Sequence, residues 1–73
     1  MPVTEQNVAG IFTYHPPDDG QRVAYESIRL QSLMLARTIL EVTPPCADRE
    51  AALRRLREAV MTANAAVALR GAI

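Results

Sequence analysis

The sequence predicts an all-α protein built on an antiparallel helical hairpin. Two long stretches carry apolar residues spaced three and four apart, the period of amphipathic helices, and a Thr-Pro-Pro break at 43–45 separates them. No stretch alternates apolar and polar residues as a half-buried strand does. Ahead of the first helix, a Pro-Pro pair at 16–17 predicts an extended N-terminal strap.

The N-terminal part is predicted to be a short helical turn followed by that strap. Residues 1–10 are weakly patterned, and any turn there should end before Gly10. Residues 11–17 should be extended, because a residue that precedes a proline is pushed out of the α region. Phe12 and Tyr14 would then share one face of the strap. We expect Phe12 to cover the hairpin, whereas Tyr14, beside His15, also suits a partly exposed stacking role.

The first long helix is predicted from about Gln21 to Val42. Asp18 can serve as its N-cap, and Gln21 three residues later completes a capping box. Thr43-Pro44-Pro45 should end the helix, because proline has no amide donor and clashes with the preceding turn.

The second helix is predicted from an N-cap at Asp48 to about Leu69. Cys46 and Ala47 would form the linker that precedes it. Gly71 lies just beyond its end, where a C-terminal glycine is expected. The predicted architecture is therefore a hairpin of two helices of similar length.

The apolar pattern predicts a homo-oligomer. A hairpin has one inner face, and it should be lined by two matching seams: Tyr25, Ile28, Leu35, Ile39 and Val42 on the first helix, and Leu53, Leu56, Val60, Ala63 and Val67 on the second. Val23, Leu30 and Met34 point nearly the opposite way. A helix that is apolar on more than one face belongs to an assembly.

Length and composition favour the same conclusion. A chain of 73 residues buries only about 60% of the surface that its unfolded form exposes, so it needs additional stabilisation. Cys46 is the only cysteine, which excludes an internal disulfide. His15 is the only histidine, and no Cys/His cluster predicts a metal site. Self-association is the remaining source of the additional stabilisation that so short a chain needs.

Charge and motifs exclude several function classes. Lys+Arg and Asp+Glu number eight each, so no broad basic field predicts a DNA or RNA polymer or an acidic membrane as partner. The sequence shows no signal peptide and no apolar run of roughly 20 residues, so a cytoplasmic location is expected. No nucleophile-histidine pair, metal-ligand spacing or phosphate-binding glycine loop predicts an enzyme or a cofactor.

Arg29 is the residue with the clearest functional signal. On the helix it projects between Ala36 and Leu40, within the apolar sector, and a charge there must be paired because its desolvation is costly. It suits either a structural salt bridge, for example to a second copy, or a phosphate clamp at a subunit seam.

Other polar residues have simpler interpretations. Arg70, near the C-terminus of the second helix, can offset the helix macrodipole. Asn64 borders the second seam and suits a buried polar contact between subunits. A cluster on the second helix is typical of a solvated face with pairs four residues apart: Glu50, Arg54, Arg55, Arg57 and Glu58.

Four segments are distinctive when taken together: Phe12-Thr13-Tyr14-His15-Pro16-Pro17; Tyr25-Glu26-Ser27-Ile28-Arg29; Thr43-Pro44 with Asp48-Arg49-Glu50 and Leu53; and Glu58-Ala59-Val60-Met61-Thr62-Ala63-Asn64-Ala65-Ala66. In these segments, which span nearly everything from Gly10 onward, the chain resembles a family of small phage proteins. Members of this family, the anti-CBASS sponges and the related Thoeris anti-defence sponges, sequester cyclic oligonucleotide second messengers.

The resemblance implies a helical protomer in a ring-like homohexamer that binds ligands without catalysis. Cyclic dinucleotides would lie between protomers, where Tyr14 matches the family's stacking tyrosine, His15 lies beside it, and Arg29 matches a basic position near the ligand. Cyclic trinucleotides would occupy separate pockets nearer the three-fold axis, with Asn64 and Arg70 as contacts. Capture of the messenger would keep a host effector inactive.

A second hypothesis is a small homo-oligomeric helical module for protein interaction, such as a phage regulator or an antitoxin-like oligomer that binds a host protein. In that case Val23, Leu30 and Met34 would form the partner surface, and Tyr14 and Arg29 would have structural roles.

Overall fold

A computed structural model describes residues 2–72, which form three helices: α1 (Val8–Phe12), α2 (Asp19–Val42) and α3 (Ala47–Ala68). Within these residues there is no strand. Helices α2 and α3 are joined by the short turn at 43–46 and pack against each other along their length. The all-α fold and the helical hairpin are therefore confirmed.

Helix α2 begins at the predicted capping box. The side chain of Asp18 accepts a hydrogen bond from the backbone N–H of Gln21 over 2.7 Å, and the Gln21 side chain accepts from the backbone N–H of Asp18 over 3.0 Å. At the other end Thr43 adopts an extended conformation, and its backbone N–H donates to the carbonyl of Ile39 over 3.2 Å. Both bounds agree closely with the prediction.

The prediction that Asp48 caps α3 is wrong, because the N-cap is Cys46. Its backbone is extended, with φ −167° and ψ 171°, and its Sγ accepts a hydrogen bond from the backbone N–H of Arg49 over 3.4 Å. Asp48 instead lies in the first helical turn together with Glu50. A carboxylate there interacts favourably with the positive end of the helix macrodipole, so the acidic residues still favour this helix start.

The predicted bounds of the N-terminal turn and the strap are also wrong. Helix α1 continues through Gly10 to Phe12, and the extended segment begins only at Thr13. A turn at Thr4–Asn7 precedes the helix, and the Thr13 hydroxyl donates to the carbonyl of Ala9 at its end. Proline restricts only the residue directly before it, so Phe12 is free to be helical. Phe12 and Tyr14 therefore do not alternate along one extended strap. The expectation that Phe12 covers the hairpin is wrong as well, because its side chain is 82% exposed.

The hairpin has an inner seam but no enclosed core. Among residues 2–72 no side chain is fully buried. Most of the predicted seam is half-buried, including Ile28, Leu56 and Val60, whereas Leu35 is exposed and Val42, at the end of α2, is 72% exposed. The radius of gyration is 15.3 Å, compared with about 11 Å for a compact globule of this length. The protomer is thus elongated and open.

The outward apolar side chains are exposed as the pattern predicts. Val23 is 67% and Met34 is 60% exposed, and Leu30 is exposed beside them. No helix among the described residues is long and apolar enough to cross a membrane.

Candidate functional site

Tyr14 extends into solvent from a stiff strap. Its side chain is 79% exposed, and its hydroxyl makes no hydrogen bond within the part of the chain that the structure describes. The next residue holds the strap in place, because the Nε2–H of His15 donates to the carbonyl of Gly10 at the end of α1. Pro16 and Pro17 stiffen the segment further. The phenol ring is therefore presented at low conformational cost and is free to stack on a flat ligand.

Arg29 is paired with a carboxylate of its own helix. Its Nη2 lies 2.6 Å from Oε1 of Glu26, three residues earlier, and both side chains are more than half exposed. Exposed pairs of this kind contribute about 0.2–1 kcal/mol. Such a pair orients the guanidinium but is weak enough to be exchanged for a phosphate. The geometry is compatible with both interpretations of Arg29 offered by the sequence.

Arg29 also lines a groove of about 420 Å³ between α2 and α3. A second arginine, Arg57 of α3, lines the same groove, as does Ser32 of α2. The floor is apolar and consists of Leu33, Ala36, Leu53, Leu56 and Val60. The groove therefore combines two cations with an apolar surface.

Arg70 lies beyond the end of α3 in a left-handed backbone conformation, with φ 52°. Its Nη2 donates to Oδ2 of Asp18, the N-cap of α2, over 2.8 Å. Nearby, Nε2 of Gln21 donates to the carbonyl of Val67 over 2.9 Å. These two contacts join the start of α2 to the end of α3, at the open end of the hairpin, which lies opposite the turn at 43–46. This structural role of Arg70 was not predicted from the sequence, which indicated only an interaction with the helix macrodipole.

The same contacts hold the pKa of Asp18 below its ordinary value. The main cause is the hydrogen bond that the carboxylate accepts from the backbone N–H of Gln21, and the hydrogen bond from Arg70 adds to it. Both interactions favour the ionised form of the carboxyl group. Asp18 therefore remains charged, and able to bind Arg70, at neutral pH.

A second groove, of about 450 Å³, separates α1 from the C-terminal end of α3. It is lined by Asn7, Gly10 and His15 on one side and by Leu69 and Arg70 on the other. The fold thus brings together His15 and Arg70, which the sequence analysis assigned to different ligand sites.

Asn64 has an unsatisfied polar atom. Its Oδ1 is buried and has no hydrogen-bond partner among residues 2–72, although the residue as a whole is only half-buried. Buried acceptors almost always have a partner in native proteins. The expected contact of Asn64 with a polar group from another subunit stays a prediction, and this unpartnered oxygen is the observation on which it rests.

A single chain does not assemble the predicted dinucleotide site. Tyr14 lies in the strap, whereas Arg29 lies about 15 Å along the axis of α2 from its first residue, Asp19. Tyr14 lines neither of the two grooves described above. Three residues that were not predicted as site residues are connected with these sites by the geometry: Asp18, Glu26 and Arg57. Their roles depend on which carboxylate meets which arginine, and on the register of the two helices.

The sequence model of a family described as Acb2/Tad1, hairpin domain, matches residues 5–68. This range includes all three helices and every predicted ligand-binding residue except Arg70. Neither the curated proteins nor the solved structures contain a match.

Proposed function

The chain belongs to the Acb2/Tad1 hairpin family, the anti-CBASS and Thoeris anti-defence sponges, and we propose that it captures cyclic oligonucleotide second messengers without changing them chemically. In the cytoplasm of an infected host, each oligomer would bind the messenger tightly. The free messenger would stay below the concentration that a CBASS-type effector needs. Each site removes one messenger molecule, so the amount of messenger that the protein can capture depends on the number of sites per protomer.

The exposed ring of Tyr14 is the observation that carries this proposal. A tyrosine that is 79% exposed, on a strap held by prolines and by His15, has little reason to be there for stability. Stacking of a base on an aromatic side chain contributes about 1–3 kcal/mol. Because the strap is already ordered, little of that free energy is lost in fixing the ring. His15 serves the dinucleotide site by positioning Tyr14.

Arg29 would supply the charge for the phosphodiester. Its surface pair with Glu26 is weak, and guanidinium binds phosphate through two parallel hydrogen bonds. Since Tyr14 and Arg29 lie apart in one chain, we propose that a site combines Tyr14 of one protomer with Arg29 of a neighbour. A twofold axis through such a seam matches the twofold symmetry of a cyclic dinucleotide.

The homo-oligomer, a hexamer by the family's pattern, is part of the proposal. It is supported by the absence of any fully buried side chain within residues 2–72 and by the exposed Val23 and Met34. It is also supported by the unpartnered Oδ1 of Asn64. We further propose that Asn64 and Arg70 contribute to a separate cyclic trinucleotide site.

Isothermal titration of the purified oligomer tests the proposal. The panel contains cyclic dinucleotides and cyclic trinucleotides, with a linear dinucleotide as the control. We expect tight binding of at least one cyclic member, at a defined ratio per protomer, and weak binding of the linear one. A folded oligomer that binds none of them would overturn the proposed function.

The exposed face of α2 favours one other candidate function, a module that binds a host protein. Val23, Leu30 and Met34 would then contact the partner instead of a second copy. Ligand binding, together with the accessibility of this face, distinguishes the two. A folded protein that binds no cyclic nucleotide and keeps this face exposed in solution would favour the interaction module, and an oligomer that binds a cyclic nucleotide and covers this face would exclude it.

A further inference from the structure

We propose that Arg57 is a second phosphate-binding residue of the dinucleotide site and acts together with Arg29 across the groove between α2 and α3. This inference rests on the proposed function, because the occupant it assigns to the groove is the phosphodiester of a cyclic dinucleotide. Neither the sequence patterns nor the family resemblance assigned a ligand to Arg57.

The geometry brings the two arginines to one groove from different helices. On α2, Arg29, Leu33 and Ala36 follow one another at spacings of four and three, so they share a face. On α3, Leu53, Arg57 and Val60 do the same. Packing of these two faces places a guanidinium on each helix beside a shared apolar floor.

The charge at Arg57 is uncompensated in the free chain. Arg29 is already paired with Glu26, but Arg57 makes no ion pair with any residue from 2 to 72. The neighbouring carboxylates Glu50 and Glu58, expected to pair with this arginine cluster, form no ion pair within the described chain either. The groove therefore carries a net positive charge, most of it from Arg57.

An anion with an apolar portion complements such a groove. Two guanidinium groups that line one groove attract an anion, and a phosphate between them offsets their mutual repulsion. The groove volume of about 420 Å³ lies within the range of small-molecule pockets. A phosphodiester would lie between the guanidiniums, and the attached sugar would lie over Leu56 and Val60.

The test compares four proteins by titration with the cyclic dinucleotide that the wild type binds best. These are the wild type, Arg57→Gln, Arg57→Lys and the matched control Arg55→Gln, which removes an exposed arginine of α3 that lines neither groove. Loss of a charge-assisted hydrogen bond should weaken binding by Arg57→Gln roughly tenfold or more. Arg57→Lys should retain part of the affinity, and Arg55→Gln should bind as the wild type does.

Salt dependence supplies a second readout. With one phosphate contact fewer, the affinity of Arg57→Gln should fall less than that of the wild type as sodium chloride is raised. Binding by Arg57→Gln with wild-type affinity and salt dependence would overturn the role of Arg57 and leave the proposed function intact. A wild-type oligomer that binds no cyclic oligonucleotide would overturn both. Circular dichroism and size-exclusion chromatography check that all four proteins fold and assemble alike.

Discussion

Arg70 and Asp18, 52 residues apart in sequence, meet at the open end of the hairpin, where Nη2 of Arg70 lies 2.8 Å from Oδ2 of Asp18. The same carboxylate caps α2, so one side chain both starts a helix and fastens it to the end of the next. Arg70 is also a candidate ligand-binding residue, so the same side chain would contribute both to the stability of the hairpin and to ligand binding. A change at either residue can therefore alter ligand binding through a loss of stability.

Substitution of Asp18 should destabilise the hairpin in a graded way. Asp18→Ala removes both the cap and the partner of Arg70, so it should lower the urea midpoint most. Asp18→Asn should cost less, because asparagine caps helices about as well as aspartate and loses only the charge. Asp19→Asn, which removes an exposed pair with Arg22 and one carboxylate of the first turn but no cap, is the control and should lower the midpoint less than either change at Asp18. An unaltered midpoint for Asp18→Ala would contradict the role of this cap.

The stability contributed by Asp18 should depend on pH. Its pKa is lowered in the folded chain from the ordinary value of 3.8, by the backbone hydrogen bond from Gln21 and then by Arg70. Because the pKa of Asp18 is lower in the folded chain than in the unfolded chain, its full contribution to the free energy of unfolding is present above pH 3.8. That contribution is lost as the pH falls through the pKa of the folded state. The difference in urea midpoint between the wild type and Asp18→Asn should therefore shrink below pH 3.8. A difference that stays constant from pH 7 to pH 2.5 would show that ionisation of Asp18 does not matter.

Local sequence signals predicted part of this fold well, for a physical reason. The capping box of Asp18 and Gln21 and the stop at Thr43 depend on neighbours within four residues, and both were found where expected. The start of α3 was misplaced because two residues compete for it. Asp48 is the more usual cap, but the extended backbone at Cys46 lets a sulfur atom take that role.

The candidate site was predictable only in its local components. The exposure of Tyr14 follows from its strap, which sequence reasoning recognised. The meeting of Asp18 with Arg70, and of Arg29 with Arg57 on one groove, depends on the register of α2 against α3. The seams of both helices are rich in similar apolar residues, so the sequence pattern alone does not determine that register.

The outward face of α2 should hold the oligomer together. The double substitution Val23→Ser and Met34→Ser removes two large apolar side chains that are exposed in the protomer. We expect a smaller assembly by sedimentation velocity, because the apolar area that would be buried between subunits is lost. The helical signal of each protomer should be retained, since neither residue faces α3. Arg55→Gln, an exposed position on α3, serves as the control, and an unchanged assembly size in the double variant would exclude this face as an interface.

Tyr14 should contribute to ligand binding through its ring. Tyr14→Ala should weaken cyclic dinucleotide binding by about 1–3 kcal/mol and remove most of the ligand-induced rise in Tm. Tyr14→Phe keeps the ring and should retain most of the affinity, because the hydroxyl has no partner within residues 2–72. Neither change should affect the Tm of the free protein much, as the side chain is 79% exposed. A large loss of stability in Tyr14→Ala alone would instead indicate a structural role.

The two proposed ligand classes should be separable by substitution. Arg70→Gln should weaken trinucleotide binding roughly tenfold, the effect of losing a charge-assisted hydrogen bond, and leave dinucleotide binding unchanged. Tyr14→Ala should weaken dinucleotide binding and leave trinucleotide binding unchanged. Since Arg70 also fastens the hairpin, Asp18→Ala is the decisive control: it breaks the same ion pair and keeps the arginine. If Asp18→Ala lost trinucleotide binding as fully as Arg70→Gln at a temperature where both are folded, Arg70 would act through the structure and not through contact with the ligand.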